Sequence, residues 1–217
     1  MTFSELLQAA REELSDTAGT SERDFALTRS MALRLFNEAQ AEACRRSRLL
    51  IDTDTEEMCS ITVTAGQAVY NRDERIVKIL SARLSGRTTP LARMFRSDMP
   101  AGWQDHTGTV IGWVNDYATN KIRLYRKPEA NGALSLEVQR TQLSDMANDT
   151  DRPEIPLRYH YGLINYVVGK MRGNDDTEMY DPRKAALAMA EFDKEFGVKR
   201  SAQNEAYELS QSISEDE

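Results

Sequence analysis

The sequence predicts an α+β protein: a discontinuous helical bundle built from both ends of the chain, with a small antiparallel β module inserted between them. Three observations predict it. Apolar residues recur at three-and-four spacing before about residue 50 and again after about residue 156, whereas the middle third alternates with a period of two. A single amphipathic helix pair leaves apolar surface uncovered, so the two helical ends have to pack on each other. The helical domain is therefore expected over 1–52 and 153–217, and the β insertion over 53–152. With 217 residues, 40% of them hydrophobic, the chain can bury one ordinary core and a smaller second one.

Taken in order, Thr2-Phe3-Ser4-Glu5 reads as a capping box, and a short helix to about Leu14 follows. Asp16 to Thr20 is a turn. Ser21 ahead of Asp24 reads as a second cap, opening a helix through Phe25, Met31, Leu35, Phe36, Ala39 and Ala43 to about Ser47. Arg45, Arg46 and Arg48 sit near its end, where cations complement the helix dipole. From about Glu57 strands take over, at Ile61–Val63, Val69-Tyr70, Ile76–Leu80, Val110–Val114, Lys121–Tyr125 and Leu134–Arg140. Leu91 to Asp98 reads as a short helix or an irregular arm, and five or six strands make up the module. A polar connector, TQLSDMANDTDRPE, leads to the most periodic stretch of the chain, Ile155 to Arg172. There Leu157, Tyr161, Ile164 and Val168 form the stripe expected in the core. Tyr159, Leu163 and Tyr166 widen it and are expected to face a neighbouring subunit. Asp181-Pro182 is a cap and first position for a helix that runs through Ala185, Ala188, Met189, Phe192 and Phe196 to Gly197. Ser201 to Ile213 reads as a last helix, and its apolar anchors Tyr207, Leu209 and Ile213 on a polar background suit a segment that orders on a partner.

Composition and motif narrow the chemistry. No run approaches the roughly 18 apolar residues of a membrane span, and the N-terminus lacks a signal-peptide layout, so a soluble chain made in a cytoplasm is expected. Cys44 and Cys59 have no metal spacing and read as buried thiols. His106 and His160 read as surface or structural, since neither accompanies a nucleophile motif and no phosphate loop is present. Asp145, Asn148, Asp149 and Asp151 lack calcium-loop spacing and read as a solvated loop. No enzyme activity, cofactor or metal is expected. Net charge is −7, yet Arg75 to Lys127 holds ten basic residues against three acidic, a net of +7 that leaves −14 for the rest. Such a division suggests parts that meet different partners. Arg83, Arg87, Arg93 and Arg96 are the candidate contact with an acidic partner; Trp103 and Trp113 read by default as core anchors of the β module, with a subunit or tail-protein contact as the alternative for Trp103 because its loop is Gly/Pro-flanked.

Four segments in this order, FNEAQAEACRRSRLL, ITVTAGQAVY, PEIPLRYHYGLINYVVGKM and YDPRKAALAMAEFDKEF, resemble the adaptor, or head-to-tail connector, proteins of tailed bacteriophages over nearly the whole chain. The resemblance implies a virion structural protein of the neck, assembled in the host cytoplasm. It further implies a ring of typically twelve subunits docked under the portal, carrying a tail or nozzle protein below and continuing the channel for double-stranded DNA. Tyr207, Leu209 and Ile213 are then the portal-docking candidates. An acidic balance suits a channel in which DNA slides without binding. The alternative is a nucleic-acid-binding module that uses the basic β region.

Overall fold

The computed structural model describes residues 1–19, 21, 24–176, 178–199 and 201. It is α+β, and the chain divides into two units: a helical one from 1–50 and 141–199, and a β one built on 51–140.

The helical unit is assembled around α4 (Gly162–Arg172), which packs on α1 (Phe3–Leu14), α2 (Arg29–Arg46) and α5 (Pro182–Phe196). Its central place follows from its composition. Leu163, Ile164, Val167, Val168 and Met171 are all buried, and two glycines let α5 come close. A Cβ on Gly162 would lie 2.8 Å from the Phe196 ring, and one on Gly169 would lie 2.7 Å from Met189 Sδ. Phe3, Leu6 and Ala10 of α1 and Leu35, Phe36 and Ala39 of α2 complete the core. The Thr2/Glu5 capping box forms as its spacing predicts, and Asp181 caps α5 by accepting from Lys184 N–H at 3.1 Å.

Two expectations change here. The second helix starts at Arg29, capped by Thr28, rather than after Ser21, because the Asp16 carboxylate accepts from the N–H groups of Ala26 and Leu27 and holds them out of a helix. The connector 141–152 belongs with the helices, not with the β module. Asn37 donates to Met146 O (3.0 Å) and accepts from Met146 N–H (2.9 Å), while Gln40 accepts from Glu154 N–H (2.6 Å). The carbonyls of Asp151 and Asp149 take the free N–H groups of Phe3 and Ser4 at the start of α1. A polar, loop-like sequence is thereby built into the bundle.

The β unit has two four-stranded sheets over one core. In the first, β8 (Gly132–Arg140) is central. It pairs along one edge with β1 (Ile51–Asp52) and β2 (Ser60–Val63), and along the other with β4 (Ile76–Leu84). The second runs β3 (Val69–Asn71), β7 (Lys121–Tyr125), β6 (Gly112–Ala118), β5 (Ala92–Met94). One turn of helix, α3 (Glu56–Cys59), lies ahead of β2. Val63, Ile79, Leu134 and Val138 from the first sheet meet Tyr70, Trp113, Ile122 and Leu124 from the second. Among the described residues eight strands therefore form, including one at 92–94 where an arm or short helix was expected. The β5–β6 pairing is parallel, so the module is mixed rather than wholly antiparallel; the long connection 95–111 supplies the crossover that parallel strands need. Gly112 permits the close approach, since a Cβ there would meet Ala92 O at 2.7 Å.

Candidate functional site

The side chains left outward on the helical unit differ from those expected. Leu163 is fully buried and Tyr166 is 5% exposed, so neither has surface for a neighbour, and Tyr159 is half-buried with its ring 6.1 Å from Phe196. Leu157 and Tyr161, expected in the core, are 68% and 55% exposed. Ile164 and Val168 do lie in the core. The phase error comes from how the helix begins: Leu157–Tyr159 is a 3-10 turn and α4 starts only at Gly162. Three residues per turn rotate the early positions out of register with a 3.6 pattern. The Tyr166 ring packs on Phe192 at 5.1 Å instead, and its hydroxyl donates to Glu38. Burial, and then Glu38, push the Tyr166 phenol well above its ordinary value.

Two apolar patches result. Leu157 and Tyr161 are both exposed in the turn that leads into α4, and Tyr161 OH donates to Glu13 Oε1 of α1 at 2.9 Å. The second patch is the side of α5 turned away from α4, where Ala186, Leu187 and Ala190 are exposed between Arg183 and Lys194. Leu187 is 68% exposed. A cleft of about 380 Å³ beside α1 is lined by Arg11, Asp16, Thr17 and Phe25 among others. Its charged groups already serve the fold: Arg11 donates to Leu27 O from Nε and Nη2 and stacks 3.7 Å over Phe25.

On the β unit, Trp103 is 5% exposed and covers the outer face of the second sheet, which corrects its assignment as a subunit contact. Arg123 explains why. Its Nη2 donates to Gln104 O at 2.5 Å, and its guanidinium lies 5.0 Å from the Trp103 ring and 4.8 Å from that of Tyr117. The four candidate arginines do not form one face. Arg83, on β4, is exposed; Arg96 is exposed and stacks on Tyr117 at 5.7 Å. Arg87 donates to Val110 O, and Arg93, opposite Trp113 in the sheet register, stacks over it at 6.0 Å; both are half-buried. The charge division also fades. Residues 51–140 hold twelve basic and eleven acidic residues, because Asp52, Glu57, Asp73 and others from outside the basic stretch fold into the same unit. Arg75 pairs with Asp73 at 2.7 Å, and Arg140 with Asp52 at 2.6 Å. Tyr207, Leu209 and Ile213 lie outside the described residues.

Both cysteines are buried, and neither is in a disulfide. Cys59 donates to Asp52 Oδ1 (3.6 Å), and its thiol is pushed up to about 11 by burial and then by the Asp52 charge. His106 is exposed. His160 is buried, with Nε2 2.9 Å from Ile155 O and Nδ1 3.0 Å from the Met1 nitrogen. With Nδ1 accepting from Met1, Nε2 carries the proton and donates to Ile155. Burial, the largest cause, holds the His160 pKa below its ordinary value. A lowered histidine favours the neutral folded form, so helical-unit stability is full above pH of about 6.5 and falls as pH drops through that value. Urea titrations followed by far-UV circular dichroism at successive pH values will show this loss, and His160→Gln will flatten it.

Among the described residues no helix is long and apolar enough to cross a membrane, and no group of three or more His, Cys, Asp or Glu side chains is placed to hold a metal ion. Leu157 and Tyr161 ahead of α4 and Leu187 on α5 are large apolar side chains turned outward. No curated protein matches the chain. The family model for the SU10 adaptor protein matches residues 1–213, and the chain belongs to that family. It is a phage structural adaptor-type protein, associated with the virion.

Proposed function

We propose that this chain is a ring-forming head-to-tail adaptor, non-enzymatic, that joins the capsid portal to the tail and continues the double-stranded DNA channel through the virion neck. The observation that carries the reading is the family match over residues 1–213, which spans both helical ends and the β insertion. The exposed Leu157, Tyr161 and Leu187 support it, since a subunit of a ring has to bury apolar surface against its neighbours. The partners are other copies of the chain, the portal protein above and a tail or nozzle protein below. Tyr207, Leu209 and Ile213 are the portal-docking anchors in this proposal, and Arg83 and Arg96 are the exposed arginines left to meet an acidic partner. Assembly takes place in the cytoplasm of the bacterial host.

A nucleic-acid-binding role for the β region has weaker support, since that unit is nearly neutral in charge and its central arginine, Arg123, is spent on holding Trp103. Native mass spectrometry of the purified chain mixed with the portal ring of the same virion tests the two readings. A discrete complex of the portal with a ring of this chain is expected. A chain that ignores the portal and instead binds DNA with steep salt dependence would overturn the adaptor reading.

A further inference from the structure

We infer that segment 99–105 is an exchangeable cover on the second sheet, which an acidic segment of another protein displaces to take the Arg123 guanidinium. This contact does not depend on the adaptor reading. Arg123 presents a donor edge that is only half used. An arginine holds Nε–H and one Nη–H side by side, at the spacing of the two oxygens of a carboxylate. Arg75 in the same unit shows the match: its Nε and Nη2 donate to Oδ1 and Oδ2 of Asp73 at 2.9 and 2.7 Å. Arg11 fills the same edge with one carbonyl, Leu27 O, at 3.1 and 2.9 Å. Arg123 does neither. Its Nη2 donates to Gln104 O, while its Nε is buried and has no acceptor among the described residues. The whole side chain is enclosed, since Arg123 is 8% exposed. A buried donor without an acceptor favours whatever supplies one.

The cover is tied mainly to itself. Trp103 N–H donates to Pro100 O and Asp105 N–H to Gly102 O, both within the segment. Its ties to the sheet are the Trp103 ring, edge-on to Tyr117 at 6.0 Å and tilted on Tyr125 at 6.2 Å, the Gln104 carbonyl, and a pair of Lys127 with exposed Asp105 at 3.4 Å. Both ends are anchored: Met94 belongs to β5, and His106 O accepts from Lys127 N–H at 2.9 Å. Segment 99–105 can therefore lift between fixed ends without unpairing a strand. Charge names the occupant. Arg96 and Lys121 are exposed and have no acidic partner among the described residues. Lys121 stands two residues before Arg123 in β7, so both leave the same face of the sheet. A carboxylate beside an aromatic or large apolar side chain fits this setting, the carboxylate replacing Gln104 O and the apolar group replacing Trp103. The near-neutral charge of the unit favours such a protein segment over a polyanion such as nucleic acid.

The test titrates the full-length chain with hydrocinnamate, a phenyl ring and a carboxylate on one short chain, and with its uncharged amide. Heteronuclear NMR follows the Arg123 Nε–H resonance, and hydrogen exchange follows the backbone amides of 99–105. Hydrocinnamate is expected to move the resonance saturably and to speed exchange of 99–105 by about tenfold while β6 and β7 stay protected; the amide is expected to do neither. Trp103→Ala, which removes the competing ring, is expected to bind hydrocinnamate about tenfold more tightly, and Arg123→Lys, which keeps the charge without the fork, is expected to lose it. No saturable shift, an equal response to acid and amide, unchanged exchange of 99–105, or wild-type binding by Arg123→Lys overturns the contact. So does a DNA duplex that moves the resonance where hydrocinnamate does not. Should either variant fail to fold, the titration of the natural chain decides alone.

Discussion

Replacing Arg140 with alanine lowers the stability of the β unit by about 3–5 kcal/mol, the cost of leaving a buried charge without its partner. Arg140 and Asp52 are 9% and 8% exposed at the side chain and meet at 2.6 Å. Burial alone would raise the Asp52 pKa. The N–H and hydroxyl of Thr55, the N–H of Asp54 and the Arg140 guanidinium together outweigh burial and hold the carboxyl well below the usual carboxylate range. A lowered carboxylate stabilises the fold above the unfolded value of about 4 and loses that contribution as pH falls toward its folded value. The wild-type β unit is therefore expected to weaken in acid below pH of about 4. Arg140→Ala is expected to keep most of that acid dependence despite its lost stability, since the Thr55 and Asp54 donors, which hold the Asp52 carboxyl down more than Arg140 does, stay in place. The readout is clean, because both tryptophans of the chain, Trp103 and Trp113, lie in this unit, so fluorescence in a urea titration follows it alone. If Arg140→Ala unfolds at the wild-type midpoint, the pair is not the clamp described here. The double variant Asp52→Asn/Arg140→Met is expected to recover part of the loss, since it removes both charges.

Phe192→Ala should cost the helical unit about 3–5 kcal/mol. The Phe192 ring is fully buried, 4.7 Å from Phe196 and 5.1 Å from Tyr166, with the Arg46 guanidinium 5.0 Å above it. Removing it opens a cavity where α5 meets α4 and withdraws the face on which Arg46 rests. Arg46 also donates to Glu42 at 2.9 Å and to Asp193 at 2.5 Å, so its placement helps tie α2 to α5. Far-UV circular dichroism is the appropriate probe, because the long helices belong to this unit. Leu187→Ala on the same helix makes the control, with a change under about 0.5 kcal/mol. Equal effects from the two substitutions would contradict the orientation of α5.

What could be read from sequence was what depends on near neighbours. The Thr2/Glu5 box, the Asp181-Pro182 start and the Gly197 stop of α5 need only residues within one turn of helix, and all form where their motifs stand. The order of helices, β insertion and helices was legible from the change of period. The start of α2 was not, because the groups that displace it come from Asp16, a turn away in space and ten residues away in sequence. The role of 141–152 was hidden for the same reason: Asn37 and Gln40 look like exposed helix polar residues, yet each bonds the connector more than a hundred residues on. Their presence among the small apolar residues of FNEAQAEA was the available signal, since a polar side chain on a packed helix face needs a partner.

At the interface candidates the sequence misled in a regular way. A short 3-10 entry turned Leu157 and Tyr161 outward, whereas Leu163 and Tyr166 went inside because α4 is packed on three other helices. The arginines misled through counting. A stretch of sequence with net +7 became part of a nearly neutral unit once acids from its flanks had folded beside it. Charge per folded unit, not per segment, decides what a surface attracts.

The pairing of β1 with the end of β8 has a further consequence. Ile51 lies opposite Gln139 and Asp52 opposite Val138, so the chain enters and leaves the insertion at two neighbouring backbone positions. To the helices, everything from 51 to 140 is equivalent to a single hairpin-sized gap. Such a cassette can lengthen, shorten or be exchanged without reopening the bundle that carries it. One helical scaffold can then accommodate whatever its β cargo has to meet, while the contacts among its own helices stay constant.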